Sequence, residues 1–384
     1  MDVLIVGGGP AGLSTALHLH AAAPRVRCVV LEKATYPREK ICAGGIGARA
    51  FRLLEKIDVD VACPAVRLDA IGLRTDTELV RIDEPGCGAV VRRAEFDHAL
   101  AKVARARGIE LREGACVSRV AVDGAGVAVT LDGGEVLRAR ILVGADGVGG
   151  VVRRQLGLPR GELRAQVVEL DTEGVAIDAT RDTAVFDFAT RALRGYAWDF
   201  PTLVDGVPLV CRGVYSLGVA ADAPGARIDE YLRVRGLDPA RYRHKQFAEK
   251  GLAPGEPISA PRVILVGEAA GIDICTGEGI GQAIEYGSLA APYLARALAD
   301  DRLDFADWRR VVDRAHLGLQ MLVRHTAYRV FYGRGRATVE RMLPRIPALL
   351  RAGIQDFAGL PVSRLGLARG AAQFVAAAAA LGLR

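Results

Sequence analysis

Val3-Leu4-Ile5-Val6-Gly7-Gly8-Gly9-Pro10-Ala11-Gly12 is the stretch from which the fold is read. Four apolar residues of strand type run straight into a glycine turn. A helical pattern follows over 13–22, then a second strand-like run over 27–31 that ends on Glu32. Strand, glycine turn, helix, strand and acid in this order form the dinucleotide-binding fingerprint. Gly7 permits the tight turn, Gly9 lets the backbone approach a pyrophosphate, and Gly12 lets the helix pack closely on the strand. A pyrophosphate would sit on the helix N-terminus, against its unpaired N–H groups. Glu32, twenty residues past Gly12, is placed to take the hydroxyls of an adenosine ribose.

The chain has 384 residues, 51% of them apolar, enough for one large domain or two closely packed ones. Its net charge of +6 is mild but uneven, because residues 319–384 hold ten arginines against two acids. No basic stripe is interleaved with aromatics, so nucleic acid is not expected as a partner. Seven scattered cysteines with no Cys-x-x-Cys pair suggest reduced thiols and a cytoplasmic setting. His18 and His20 face different ways on a helix, so no metal site is expected. The first strand starts almost at Met1, leaving no room for a signal peptide. The longest apolar run, 374–383, is too short to span a bilayer.

After Glu32, Tyr36-Pro37-Arg38-Glu39-Lys40-Ile41-Cys42-Ala43-Gly44-Gly45 reads as a loop, and 48–57 as a helix. Residues 65–92 alternate as short strands broken at Pro85-Gly86, and 93–107 is a helix stopped by Gly108. Strands are expected at 109–111, 116–122 and 127–131, then at Ile141-Leu142-Val143 before Gly144-Ala145-Asp146-Gly147. From 151 to 261 the texture is β-type, with runs at 166–170, 183–188, 195–200 and 207–214 and one helix at 228–235. Arg262-Val263-Ile264-Leu265-Val266 is again a buried strand, leading to Gly267-Glu268 and then to Thr276-Gly277-Glu278-Gly279-Ile280 and a long helix. Beyond Phe305 the pattern is helical and basic. The expected fold class is α/β (α+β overall). A discontinuous Rossmann-like domain spans 1–64, 93–150 and 262–300. An inserted antiparallel sheet, 65–92 and 151–261, forms a substrate domain, and 301–384 is a helical C-terminal region.

These glycine-rich turns, in this order over roughly the first 300 residues, resemble the flavoprotein family of para-hydroxybenzoate hydroxylase. Within it the chain is most similar to the geranylgeranyl reductases. Residues 37–45 resemble the reductases' loop of proline, base, cysteine and paired glycines. Arg93, with Phe96, Asp97 and Leu100, resembles the family's flavin-contacting helix. Gly195-Tyr196-Ala197-Trp198-Asp199-Phe200-Pro201 is similar to their Tyr-x-Trp-x-Phe-Pro strand, and Gly277-Glu278-Gly279-Ile280 to their Gly-Glu-Gly-Ile turn. Two positions depart from the pattern. The family has Gly-Asp where this chain has Gly267-Glu268, and commonly Pro-Leu where it has Ile274-Cys275.

The resemblance implies FAD as cofactor, with NADPH or another reductant, or an electron-donor protein, as electron source. It implies that Gly7, Gly9, Gly12, Glu32, Arg38, Arg93, Asp146, Glu268, Gly277, Gly279 and Ile280 hold the cofactor. Surface solvation is the alternative for the arginines, and a helix cap or solvated turn for the two acids. Cys42 and Cys275 fall near the ring, as a proton donor or a tuning contact, or as small inert side chains. Tyr196, Trp198 and Phe200 alternate, so they share one face and either wall an apolar or lipid substrate or form ordinary core. The implied activity is hydride delivery to a C=C bond of an isoprenoid-like substrate. A hydroxylating or epoxidising monooxygenase, a halogenase, and a flavin-binding protein without turnover remain open. The basic C-terminal region is a candidate for peripheral contact with anionic membrane, or for a solvated cap.

Overall fold

Val3–Val6 is wholly apolar and wholly buried, as a strand covered on both faces must be. In the computed structural model, which describes residues 1–189, 193–217, 224–333 and 336–381, it is the middle of a six-stranded sheet. Its parallel neighbours are Cys28–Leu31 on one side and Ile141–Gly144 on the other. Val263–Leu265 pairs parallel beyond Ile141–Gly144, Glu110–Arg112 parallel beyond Cys28–Leu31, and the short Ser259–Ala260 closes one edge antiparallel. Helices Pro10–Ala22, Arg93–Ala106 and Ile280–Ala299 pack against this sheet. A small sheet of Val117–Asp123, Gly126–Leu131 and Val136–Ala139 lies beside it.

The second layer is an eight-stranded sheet in which only one neighbouring pair, Ala65–Arg74 with Thr183–Asp187, runs parallel. Its strand Gly195–Val204 is buried at every position from Gly195 to Thr202, because helices or loops cover both faces. Three details depart from the expected pattern. Pro85-Gly86 does not break the hairpin, which turns instead between Arg74 and Leu79. Proline and glycine there lie within the strand Leu79–Val91, near a register shift at Leu68/Ala70, and Asp69 accepts from the Gly86 N–H at 2.6 Å. Gly45, expected to end a loop, opens the sheet's edge strand Gly45–Gly47, and Lys245–Lys250 forms its other edge. The polar sequence Lys-Gln-Phe-Ala-Glu-Lys hides that last strand.

The C-terminal helices do not stand apart. Pro347–Ala358 lies across the strand Leu79–Val91 and the helix Ala48–Glu55. Phe357 fits against Gly47 and Gly88, where any side chain would collide with it. Residues 382–384, the end of the basic region, lie outside the described residues.

Candidate functional site

At the C-terminal ends of Val3–Val6 and its parallel neighbours, where open α/β sheets place ligands, lies a cleft of ≈ 1840 Å³, open to solvent. Gly7 and Gly12 make the turn possible in different ways. Gly7 has φ +106°, and a Cβ there would strike the Ala145 carbonyl. A Cβ on Gly12 would strike the Gly7 carbonyl, so Gly12 sits in the packing and not in the cleft. Gly9 faces the cleft, and no side chain caps the helix it begins. Glu32 is 5% exposed and accepts from the N–H groups of Gly8 at 2.9 Å and Ala34 at 3.0 Å.

Arg38 and Arg93 converge opposite Gly9. A Cβ there would be 3.7 Å from an Nη2 of each guanidinium. Both are held by Asp97, which is fully buried one helical turn after Arg93. Arg93 makes a bidentate pair with it, 2.8 Å on each arm, and Arg38 lies 3.2 Å away. Burial works against the Arg93 charge, but Asp97 outweighs it and keeps the guanidinium firmly protonated. A gap lined by a side-chain-free backbone, an uncapped helix start and two fixed cations fits a pyrophosphate.

Asp146 and Glu268 flank Gly147 in the same cleft. One Asp146 oxygen accepts from the Val152 N–H at 2.9 Å, so it does cap the helix Val151–Gln155. Its other oxygen is buried with no partner. Burial raises its carboxyl above the usual range, a cost that a ligand hydroxyl would relieve. Burial likewise raises Glu268, offset by Lys40 and Arg93. Gly277, Gly279 and Ile280 close the far end, where the helix Ile280–Ala299 begins without a side-chain cap. The donors, acceptors and glycine cradle fit the dinucleotide that the resemblance implied.

A second cavity, ≈ 1250 Å³ including its open mouth, adjoins the first and shares Cys42, Phe247, Glu249, Gly277, Gly279 and Ile280 with it. Tyr196, Trp198 and Phe200 line it. The Trp198 indole lies across Gly213 of the next strand, a contact that only glycine permits. Tyr196 donates its hydroxyl to the Thr276 carbonyl, and Tyr215 donates to the Ile274 carbonyl at 3.1 Å. With those hydroxyls tied to backbone, the cavity meets ring surface. Glu278 and Arg324, also in its wall, pair with each other.

Cys42 and Glu249 stand at the junction of the two spaces, with Glu169 behind Cys42, and burial pushes all three toward their protonated forms. Burial raises the Cys42 thiol, against the pull of Arg93. Burial pushes Glu169, whose Oε1 accepts from the Cys42 N–H at 3.0 Å, up to about 7. Glu249 lines both cavities, and burial with Glu268 as neighbour raises its carboxyl well above the usual range. Its Oε2 is buried without a partner. Cys275 lines neither cavity. Asp273 accepts from the Cys275 N–H at 2.7 Å and the Thr276 N–H at 3.1 Å, pinning the turn, and Tyr332 donates to the Cys275 carbonyl at 3.2 Å.

Sequence reasoning missed Glu249, Phe247 and the helix Pro347–Ala358, which supplies Leu350, Ile354 and Phe357 to the second cavity. Phe247 and Glu249 are two apart on one strand and so share a face, a signal that was available once the strand was known.

His316 ties that helix down. Its Nε2 lies 2.7 Å from Asp356 and its Nδ1 3.0 Å from Glu285 of the long helix, and Arg49 also holds Asp356, at 3.1 Å. Asp356 first, then Glu285, pushes the imidazole up to about 9. Its folded value lies above its unfolded 6.5, so its contribution is complete below pH 6.5 and is lost as pH rises through about 9. The site is half-buried, so the contribution is about 1 kcal/mol. We expect thermal stability to fall over that window, and His316→Gln to flatten the fall. An unchanged profile in the variant would remove His316 from this role.

Residues 1–192 match the family described as FAD binding domain. Menaquinone reductase from Mycolicibacterium smegmatis is 28% identical over 319 residues, 76% of this chain and 75% of that one. Rifampicin monooxygenase from Streptomyces venezuelae is 33% identical over 304 residues, 74% of this chain and 61% of that one. The crystal structure of a geranylgeranyl bacteriochlorophyll reductase-like protein from Thermoplasma acidophilum superposes with a TM-score of 0.78 at 19% identity, covering 99% of this chain and 98% of that one. With half its length matched, and a cleft whose glycines, arginines and acids fit an adenine dinucleotide, the chain belongs to the FAD-binding domain family and is an FAD-dependent oxidoreductase of the para-hydroxybenzoate hydroxylase type.

Proposed function

We propose that the protein reduces a carbon–carbon double bond of an apolar, isoprenoid-like substrate. The observation that carries this reading is the aromatic and aliphatic cavity that opens on the cofactor cleft at Cys42 and Glu249. FAD held by Gly9, Arg38, Arg93, Asp146 and Glu268 and reduced by NADPH, another reductant or a donor protein would supply the hydride for one carbon. The other carbon needs a proton, and the chain provides it. Glu249 is the better source, because a carboxyl starts near 4.3 and a thiol near 8.5, and burial raises both. Cys42 then shapes the junction. Tyr196, Trp198 and Phe200 exclude water and hold the apolar chain of the substrate. Similarity to a menaquinone reductase supports a reductive reading, and similarity to a rifampicin monooxygenase keeps an oxygenase as the alternative.

The test is anaerobic stopped flow with pre-reduced protein and polyprenyl substrates. Return of oxidised-flavin absorbance under nitrogen, with saturated product, is the expected result. No return until oxygen is admitted, with an oxygenated product, would establish the monooxygenase instead.

A further inference from the structure

The helix Arg364–Ala380 buries only Gly370 and Ala377. Leu365, Leu367, Phe374 and Val375 are 47–66% exposed, and Arg364 and Arg369 are its only charges. Its inner side rests on Pro347–Ala358. Gly370 approaches the Leu349 backbone, where a Cβ would be 3.1 Å from Leu349 Cα, and Gln373 accepts from the Ala348 N–H at 2.9 Å. The opposite side of Pro347–Ala358 gives Leu350, Ile354 and Phe357 to the apolar cavity. From inside outward the order is cavity, covering helix, exposed apolar helix.

The exposed charge of the C-terminal helices from residue 319 on has one sign. Among the described residues from 319 to 381, the exposed charged side chains are Arg329, Arg341, Arg345, Arg351, Arg364 and Arg369. The two acids in that span are half-buried and taken: Glu340 by Arg336 at 2.7 Å, Asp356 by His316 and Arg49. A second copy docked on the same face would set arginine against arginine. An anionic bilayer complements both the charge and the apolar arc. The helix is not long and apolar enough to cross one.

We propose that Arg364–Ala380 lies in the interface of an anionic membrane, with its own Arg364 and Arg369 on lipid phosphates. The proposal rests on the apolar-substrate reading only for its purpose, which is delivery of a lipid-borne substrate to the cavity beneath.

The experiment is flotation of the FAD-loaded protein with phosphatidylcholine vesicles, with and without phosphatidylglycerol. We expect the protein to float with the anionic vesicles at low salt, and the bound fraction to drop about tenfold at high salt or without phosphatidylglycerol. The double variant Phe374→Asp, Val375→Asp changes only exposed positions. It should lose flotation about tenfold while turning over detergent-dispersed substrate like the wild type. Protein that stays at the bottom of the gradient would overturn the proposal. So would a double variant that floats unchanged, or a self-association that the double variant abolishes. Flotation needs no turnover, so failure of the reductase reading and failure of docking are separate results.

Discussion

Glu249→Gln retains FAD and slows anaerobic reoxidation of the reduced protein by substrate by about a hundredfold or more; that is the expected result if this carboxyl carries the proton. Glutamine keeps the shape of the side chain at the junction of the two cavities but has no proton to give at any accessible pH. Wild-type reoxidation should be fastest where Glu249 is protonated. It should fall as pH rises through a value well above the usual carboxylate range, since burial and Glu268 hold it there. The variant should show no such fall. Cys42→Ala should cost less than about tenfold, because its thiol is raised from a higher starting point. The assignment fails if Cys42→Ala proves the more damaging change. It also fails if the Gln variant keeps the wild-type pH profile.

Gly9→Leu should yield a folded, colourless protein, its FAD affinity down about a thousandfold, equivalent to about 4 kcal/mol. The choice of glycine matters. Gly7 has positive φ and Gly12 has a carbonyl in the way, so changes there damage the fold itself. Gly9 has φ −81° and ψ −174°, extended backbone open to any residue. A Leu there would fill the gap before Arg38 and Arg93 and little else. Circular dichroism should match the wild type. Cofactor released from the wild type should chromatograph as FAD. FMN in its place would overturn the reading of Glu32 as the adenosine end, and a yellow Gly9→Leu protein would overturn the phosphate gap.

Sequence made the cofactor cleft legible because its parts are local. Gly7, Gly9 and Gly12 lie within six residues, and each is required by a backbone contact that no other residue allows or by a ligand's approach. Arg93 sits one helical turn before the carboxylate that orients it. The apolar cavity was legible only where aromatics alternate, at Tyr196, Trp198 and Phe200. Glu249 escaped because both faces of its edge strand carry polar residues, Lys245 and Glu249 beside Phe247 on one and Gln246 and Lys250 beside Ala248 on the other, so no apolar period of two appears. Phe357 and Ile354 escaped for another reason. Nothing in a helical pattern tells which distant sheet it will cover. Cys275 looked equivalent to Cys42 in its glycine-bearing loop, but Asp273 folds that loop so that Cys275 stays out of both cavities.

The order of strands in the six-stranded sheet bears on modularity. Ile141–Gly144 is flanked by Val3–Val6 and by Val263–Leu265, so its second partner arrives more than a hundred residues later, after the whole eight-stranded sheet. A chain ending at residue 192, where the family match ends, would leave Leu142 and Val143 on a bare apolar edge. It would also lack Glu268 and the turn at Gly277–Ile280. The stretch that announces the family is therefore not a transplantable unit, and the six-stranded sheet can close only once the eight-stranded sheet has been made.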